Sequence, residues 1–149
     1  MATETNKVQA QSAANASLQP LNALAGEWTL EIVLPSNPPM VVPGRATFEW
    51  IEGGAFLLER WEAARLAIIG ADDTTGAYTM LYYDSRAVSR LYQMSLKDGV
   101  WKLWRDAPGF SQRFEGKFSA DGKTITAFWE KSTDGVTWEL DFDMTYRKV

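Results

Sequence analysis

The feature that most constrains this chain is a rhythm of tight turns with two-residue alternation between them. Turn signals fall at Gly53-Gly54, Asp72 to Gly76, Asp84-Ser85-Arg86, Asp98-Gly99, Asp106 to Gly109, Asp121-Gly122 and Asp134-Gly135. Three of these are Asp-Gly pairs, the strongest local hairpin signal, because both residues tolerate positive φ. A spacing of about 8–15 residues suits a meander of short antiparallel strands.

The segments between the turns carry one dry and one wet face. From residue 136 the dry face reads Val136, Trp138, Leu140, Phe142, Met144 and Tyr146. Over 110–118 it reads Phe110, Gln112, Phe114, Gly116 and Phe118. Arg90, Tyr92, Met94 and Leu96 share one face, as do Tyr78, Met80, Tyr82 and Asp84. The pattern predicts strands over 26–34, 44–52, 55–62, 66–71, 77–84, 89–96, 100–105, 110–119, 123–132 and 136–147. Residues 35–43 hold Pro35, Pro38, Pro39 and Pro43 and read as a loop, since proline is excluded from central strands. A helix is expected only over 18–25, with Leu18, Leu21 and Leu24 on one face, Ser17 as N-cap, Pro20 in the first turn and Gly26 as the stop.

Short connections make each strand pair with its sequence neighbours. A flat sheet of that size would expose two long edges, and closure removes them. The expected fold is all-β, an antiparallel up-and-down meander barrel of about ten strands with a short N-terminal helix. It forms one domain over 18–149, behind a polar, flexible tail over 1–17 that lacks the apolar run of a secretory signal. A chain of 149 residues can bury a core without disulfide or metal staples.

Composition narrows the chemistry. There is no cysteine and no histidine, which removes disulfides, thiolate sites, the commonest general base and the commonest zinc ligand. A net charge of −4 disfavours nucleic acid as a partner. No stretch approaches the ~20 apolar residues of a membrane helix, so no membrane is expected and the location is read as cytoplasmic. No Gly-x-Ser-x-Gly nucleophile elbow occurs, and Gly53-Gly54 sits in a hairpin rather than before a helix. Asp72-Asp73 and Asp141-x-Asp143 match no calcium-loop spacing and read as a turn and a solvated face. No metal and no cofactor is expected.

The opening helix followed by Leu24-Ala25-Gly26-Glu27-Trp28 resembles the start of lipocalin-like (calycin) barrels, where a Gly-x-Trp begins the first strand and the Trp plugs the barrel end. The segments Gly44 to Trp50, Gly53 to Leu57, Arg113-Phe114-Glu115-Gly116 with Asp121-Gly122, and Trp129 to Ser132 with Asp134-Gly135 and Trp138-Glu139 resemble a bacterial lipocalin-like family of unknown function. The resemblance spans roughly 18–147 and extends distantly to the nitrobindins, ten-stranded barrels that bind haem through a histidine. With no histidine here that activity does not carry over, and a haem would need a Tyr or Met ligand.

Candidate site residues are polar groups sharing predicted inner faces with aromatics: Tyr82, Arg90, Tyr92, Gln112 and Glu130, beside Trp104, Trp138 and Phe142. A buried charge needs a partner, so Arg90 is expected to pair with Glu130 or Asp84. That pair either fixes strand register or anchors the polar end of an apolar ligand. Trp28 reads as structural. The phase of 44–62 stays open, because Phe56-Leu57-Leu58 is apolar on both faces and one of them could serve a homodimer.

Three readings follow. The first is a binding module that holds a small, largely apolar molecule, with Tyr82, Tyr92, Trp104, Trp138 and Phe142 as walls and Arg90, Gln112 and Glu130 setting orientation. The second is an acid/base isomerase or cyclase with Glu130, Tyr92 and Arg90 as its catalytic groups. The third is a self-associating structural protein without a ligand.

Overall fold

The computed structural model describes residues 16–63 and 65–149. The ten strands are β1 (Gly26–Leu34), β2 (Met40–Ile51), β3 (Phe56–Trp61), β4 (Arg65–Ala71), β5 (Tyr78–Asp84), β6 (Val88–Lys97), β7 (Val100–Arg105), β8 (Ser111–Phe118), β9 (Thr124–Ser132) and β10 (Glu139–Lys148). They form a closed barrel in which each strand pairs antiparallel with its sequence neighbours. β1 closes on β10 through a ladder running from Trp28↔Lys148 to Val33↔Asp143. The ten-stranded up-and-down barrel is therefore the fold.

Two expectations at the N-terminal side change. The helix is a 3-10 helix over Ala16–Ala23, starting two residues early. The tail expected over 1–17 lies, up to residue 15, outside the described residues. The proline-rich loop shrinks to 35–39, because β2 begins at Met40 and includes Pro43 opposite Glu31. β3 pairs with β2 only from Ala46 to Ile51, so the stretch around Pro43 has one free side. A missing N–H is tolerated there.

The 3-10 helix closes one end. Leu18, Leu21 and Leu24 are buried against the barrel interior. Trp28 lies fully buried beneath them and donates Nε1–H to the Leu24 carbonyl at 2.8 Å. Trp50 Nε1 reaches Asn22 Oδ1 at 2.9 Å, and the Tyr78 hydroxyl donates to the Ser17 carbonyl. This half of the interior is filled by packed rings: Trp28 on Tyr146, Tyr146 on Trp101, and Trp101 on Phe48 and Phe114. Gly116 leaves room for them, since a Cβ there would stand 2.9 Å from Ile125 Cγ2. No helix among the described residues is long and apolar enough to cross a membrane.

Outside, an apolar row crosses four strands. Leu58 faces Ile68, Ile68 faces Leu81, and Leu81 faces Leu91 in successive pairs. Leu81 and Leu91 are 40% and 49% exposed. This settles the phase of β3: Leu57, Glu59 and Trp61 share parity with the interior, and Phe56 and Leu58 face out.

Tyr146 gives the closed core a measurable signature. Burial first, and then the negative charge of Glu59, hold its phenol well above the usual 10.0. A group that stays protonated in the fold but ionises when unfolded contributes stability below pH 10 that is lost as pH rises beyond it. Stability should fall by about 1.4 kcal/mol per pH unit above pH 10 for such a tyrosine. Denaturant titrations from pH 9 to 12 measure this, and the Tyr146→Phe variant should show the shallower slope. Equal slopes would mean that Tyr146 ionises freely inside the barrel.

Candidate functional site

Polarity inside the barrel is sorted along its axis. Odd-numbered strands start, and even-numbered strands end, beneath the helix; the opposite strand ends make up the far end. At or near that far end lie the polar and charged residues Glu59, Arg65, Tyr82, Asp84, Arg90, Arg105 and Gln112, and Tyr92 stands midway along β6. Arg65, Asp84, Arg90 and Arg105 are partly exposed, so solvent reaches this end.

Glu59 is the most deeply placed charge, 0% exposed. Its Oε2 accepts from Trp61 Nε1 at 2.6 Å and lies 3.6 Å from Arg65 Nη2. Its Oε1 has no hydrogen-bond partner among the described residues, nor has Arg65 Nε. The Arg65 guanidinium sits between two rings, 4.1 Å from Trp61 and 4.9 Å from Tyr82. The Tyr82 hydroxyl donates to Asp84 Oδ2 at 2.6 Å, and Arg86 grips the same carboxylate at 2.7 Å. Those bonds, from Arg86 and then Tyr82, hold Asp84 far below the usual carboxylate range.

Across the bore, Tyr92 packs edge-on against Tyr82 and Trp129, with centroids 6.1 and 5.5 Å away. Its hydroxyl donates to Gln112 Oε1 at 2.8 Å. Burial raises the Tyr92 phenol, and a hydrogen bond from Arg90, followed by the positive charges of Arg90, Arg65 and Arg105, pulls against that rise. Arg90 and Arg105 converge on Phe110. Arg90 lies 5.2 Å over its ring, and Arg105 Nη1 donates to its carbonyl at 3.1 Å. Both phenols thus give their protons to side-chain oxygens.

A cleft of about 640 Å³ opens where β3 and β4 turn at the rim. Ala46, Trp61, Arg65 and Asp84 reach it from the interior parity, but most of its lining, including Arg45, Arg60, Leu66 and Tyr83, belongs to the outer face.

The structure brings Tyr82, Arg90, Tyr92, Gln112 and Phe142 onto the inner face, as their periodicity predicts. It removes Trp104, Glu130 and Trp138 from it. β7 carries a Trp on each parity, and Trp101 with Leu103 takes the interior; Trp104 is 38% exposed. On β9, Ile125, Ala127 and Trp129 point in, so Glu130 points out, where it accepts from Arg113 Nε at 2.6 Å. Trp138 is reversed by a bulge between Leu140 and Phe142, which flips the face of everything before it. Its ring stacks under Arg113 at 4.1 Å on the outside. β10 consequently starts at Glu139 rather than 136, after a loop tied by Asp134 Oδ1 to the Val136 and Thr137 amides. Arg90 pairs with neither expected acid, since Glu130 binds Arg113 and Asp84 binds Arg86.

Sequence reading missed Glu59, Arg65 and Arg105. Glu59 was hidden by the apolar run before it. The available signal was its parity, two residues from Leu57 and two from Trp61.

Coulomb attraction across 3.6 Å is about 4–5 kcal/mol at an effective dielectric of 20. Desolvating the two ions costs several kcal/mol each. The pair is therefore close to neutral as a whole but costly to break from one side. Arg65→Met should destabilise by about 3–5 kcal/mol, leaving Glu59 buried and uncompensated. Glu59→Gln combined with Arg65→Met should recover most of that loss in urea unfolding. A double variant no more stable than Arg65→Met would remove the coupling.

In comparison with known proteins, no family model and no curated protein matches the chain. Among solved structures it is similar to Rv2717c from M. tuberculosis, with 10% sequence identity, a TM-score of 0.46, and coverage of 91% of this chain and 98% of that one.

Proposed function

We propose that the protein is a lipocalin-like, cytoplasmic binding barrel that holds one small, largely apolar molecule at its far end. The observation that carries this reading is the axial sorting of the interior. One end is packed with rings beneath the helix, with Trp101 Nε1 unpartnered among them, whereas towards the other a buried ion pair leaves both Glu59 Oε1 and Arg65 Nε without partners. Buried polar groups in native folds are normally satisfied, and an orphan suggests an absent partner. Apolar walls with few polar groups are the usual make-up of a small-molecule site. Trp61, Tyr82, Tyr92 and Phe142 supply the walls here, and Arg65, Arg90 and Gln112 the orientation. The acid/base alternative loses Glu130, which is outside. Its interior substitute, Glu59, is already engaged by Trp61 and Arg65.

Titration with the neutral apolar dye Nile red tests the reading. Saturable binding of one dye per chain is expected, weakened about 5- to 30-fold by Trp61→Ala through loss of roughly 1–2 kcal/mol of ring contact. Trp104→Ala, on the outer face, should leave it unchanged. Absence of saturable binding, or equal effects of the two variants, would sink it.

A second reading rests on the outer apolar row of Leu58, Ile68, Leu81 and Leu91. Such a row suits self-association into a homodimer. Light scattering would then give twice the 16.7 kDa chain mass, and Leu81→Glu with Leu91→Glu should restore the monomer mass. A monomer mass for the unaltered chain would remove this reading.

A further inference from the structure

We infer that the group recognised at the far end is an oxyanion, a carboxylate or phosphate at the tip of an apolar ligand, received by Arg90 and Arg105. This rests on the binding reading above and adds the charge of the ligand to it.

The argument starts from charge pairing. Arg65 faces Glu59, and Arg86 faces Asp84. Lys131 faces Asp141, and Arg113 faces Glu130 on the outer wall. Arg60, Lys97, Lys123, Arg147 and Lys148 also lack an ion pair but are exposed, so among the part-buried arginines of the described residues Arg90 and Arg105 are left. Among the described residues neither forms an ion pair. Both are partly buried, in a chain whose net charge is −4 and which has acids to offer. Two part-buried guanidinium groups with no carboxylate partner favour an arriving anion.

Position supports the same conclusion. Arg90 faces Tyr82 across β5 and β6, and Arg105 faces Gln112 across β7 and β8. Tyr92 and Gln112 are hydrogen-bonded to each other between them. Phe110 tethers both arginines, one by its ring and one by its carbonyl, which limits their rotamers before a ligand binds. A guanidinium fork offers parallel donors suited to the oxygens of carboxylate and phosphate. The aromatic chain from Tyr82 through Tyr92 to Trp129 leads inward from this point and would carry the apolar body.

The test compares three probes with one alkyl chain: decanoate, decyl phosphate and decan-1-ol. Affinities come from intrinsic Trp fluorescence, with calorimetry as a check. At least one acid should bind about tenfold or more tightly than the alcohol, as one charge-assisted contact provides. Which acid wins separates carboxylate from phosphate. Arg90→Gln and Arg105→Gln should each reduce the preference without weakening decan-1-ol, and Arg113→Gln on the outer wall should not alter it. Thermal melts report whether the variants stay folded. If they do not, salt decides with the unaltered protein. Raising NaCl should weaken the acids and spare the alcohol. Equal affinity for alcohol and acids would overturn the anion inference and leave the binding reading standing. Failure of all three probes and of Nile red would overturn both.

Discussion

Closure of β1 on β10 is the constraint on which everything else in this molecule depends. The ladder from Trp28↔Lys148 to Val33↔Asp143 consumes both edges of the sheet. Every strand residue then points either into the bore or away from it, with no rim along which a polar side chain can swing into water. A charge of inward parity away from the barrel ends is costly unless it is paired inside. Glu59 shows the consequence: fully buried, it is held by Trp61 on its own strand and by Arg65 at the start of the next.

The axial sorting follows from plugging one end only. Leu18, Leu21 and Leu24 cover the strand ends around Trp28, and the Trp28 and Trp50 indoles return hydrogen bonds to the covering segment. Each such bond contributes about 1 kcal/mol net. The larger effect is that this half is filled by apolar and aromatic side chains with no charged group among them. At the far end, solvent lowers the cost of charge, and stacked rings lower it further. Arg65 between Trp61 and Tyr82 gains up to about 2 kcal/mol per desolvated ring contact.

Much of this architecture is legible in the chain. The Asp-Gly turns set the hairpins, and the alternation in 78–96 sends Tyr82, Arg90 and Tyr92 inward as found. What escaped were places where local pattern carries no parity. One extra residue in β10 keeps Trp138 on the apolar stripe of the sequence while turning it outward in space. In Val100-Trp101-Lys102-Leu103-Trp104 either Trp satisfies the alternation, and only packing against Phe48 and Phe114 selects Trp101. Glu130 sits next to Trp129 on β9, and since Ile125, Ala127 and Trp129 take the interior, alternation turns it outward. Pro43 argued for a loop, yet its stretch of β2 outruns β3 and can accommodate proline.

The sign of the whole chain likewise conceals the sign of its interior. Much of the acidity sits in turns, where carboxylates fasten backbone amides. Asp72 binds the amides of Thr74 and Thr75, Asp121 that of Lys123, and Asp134 those of Val136 and Thr137. Those amides hold Asp72 and Asp134 below their usual range, Asp134 at about 2, and the Ser119 hydroxyl and then the Lys123 amide do the same for Asp121. Such acids are committed to shaping hairpins and stay ionised at any physiological pH. They contribute to the net −4 without entering the bore, where Arg90 and Arg105 outnumber the acids free to meet them. The sign of an acidic protein and the sign of its interior can in this way differ, because its turns and its interior draw on carboxylates for different physical reasons.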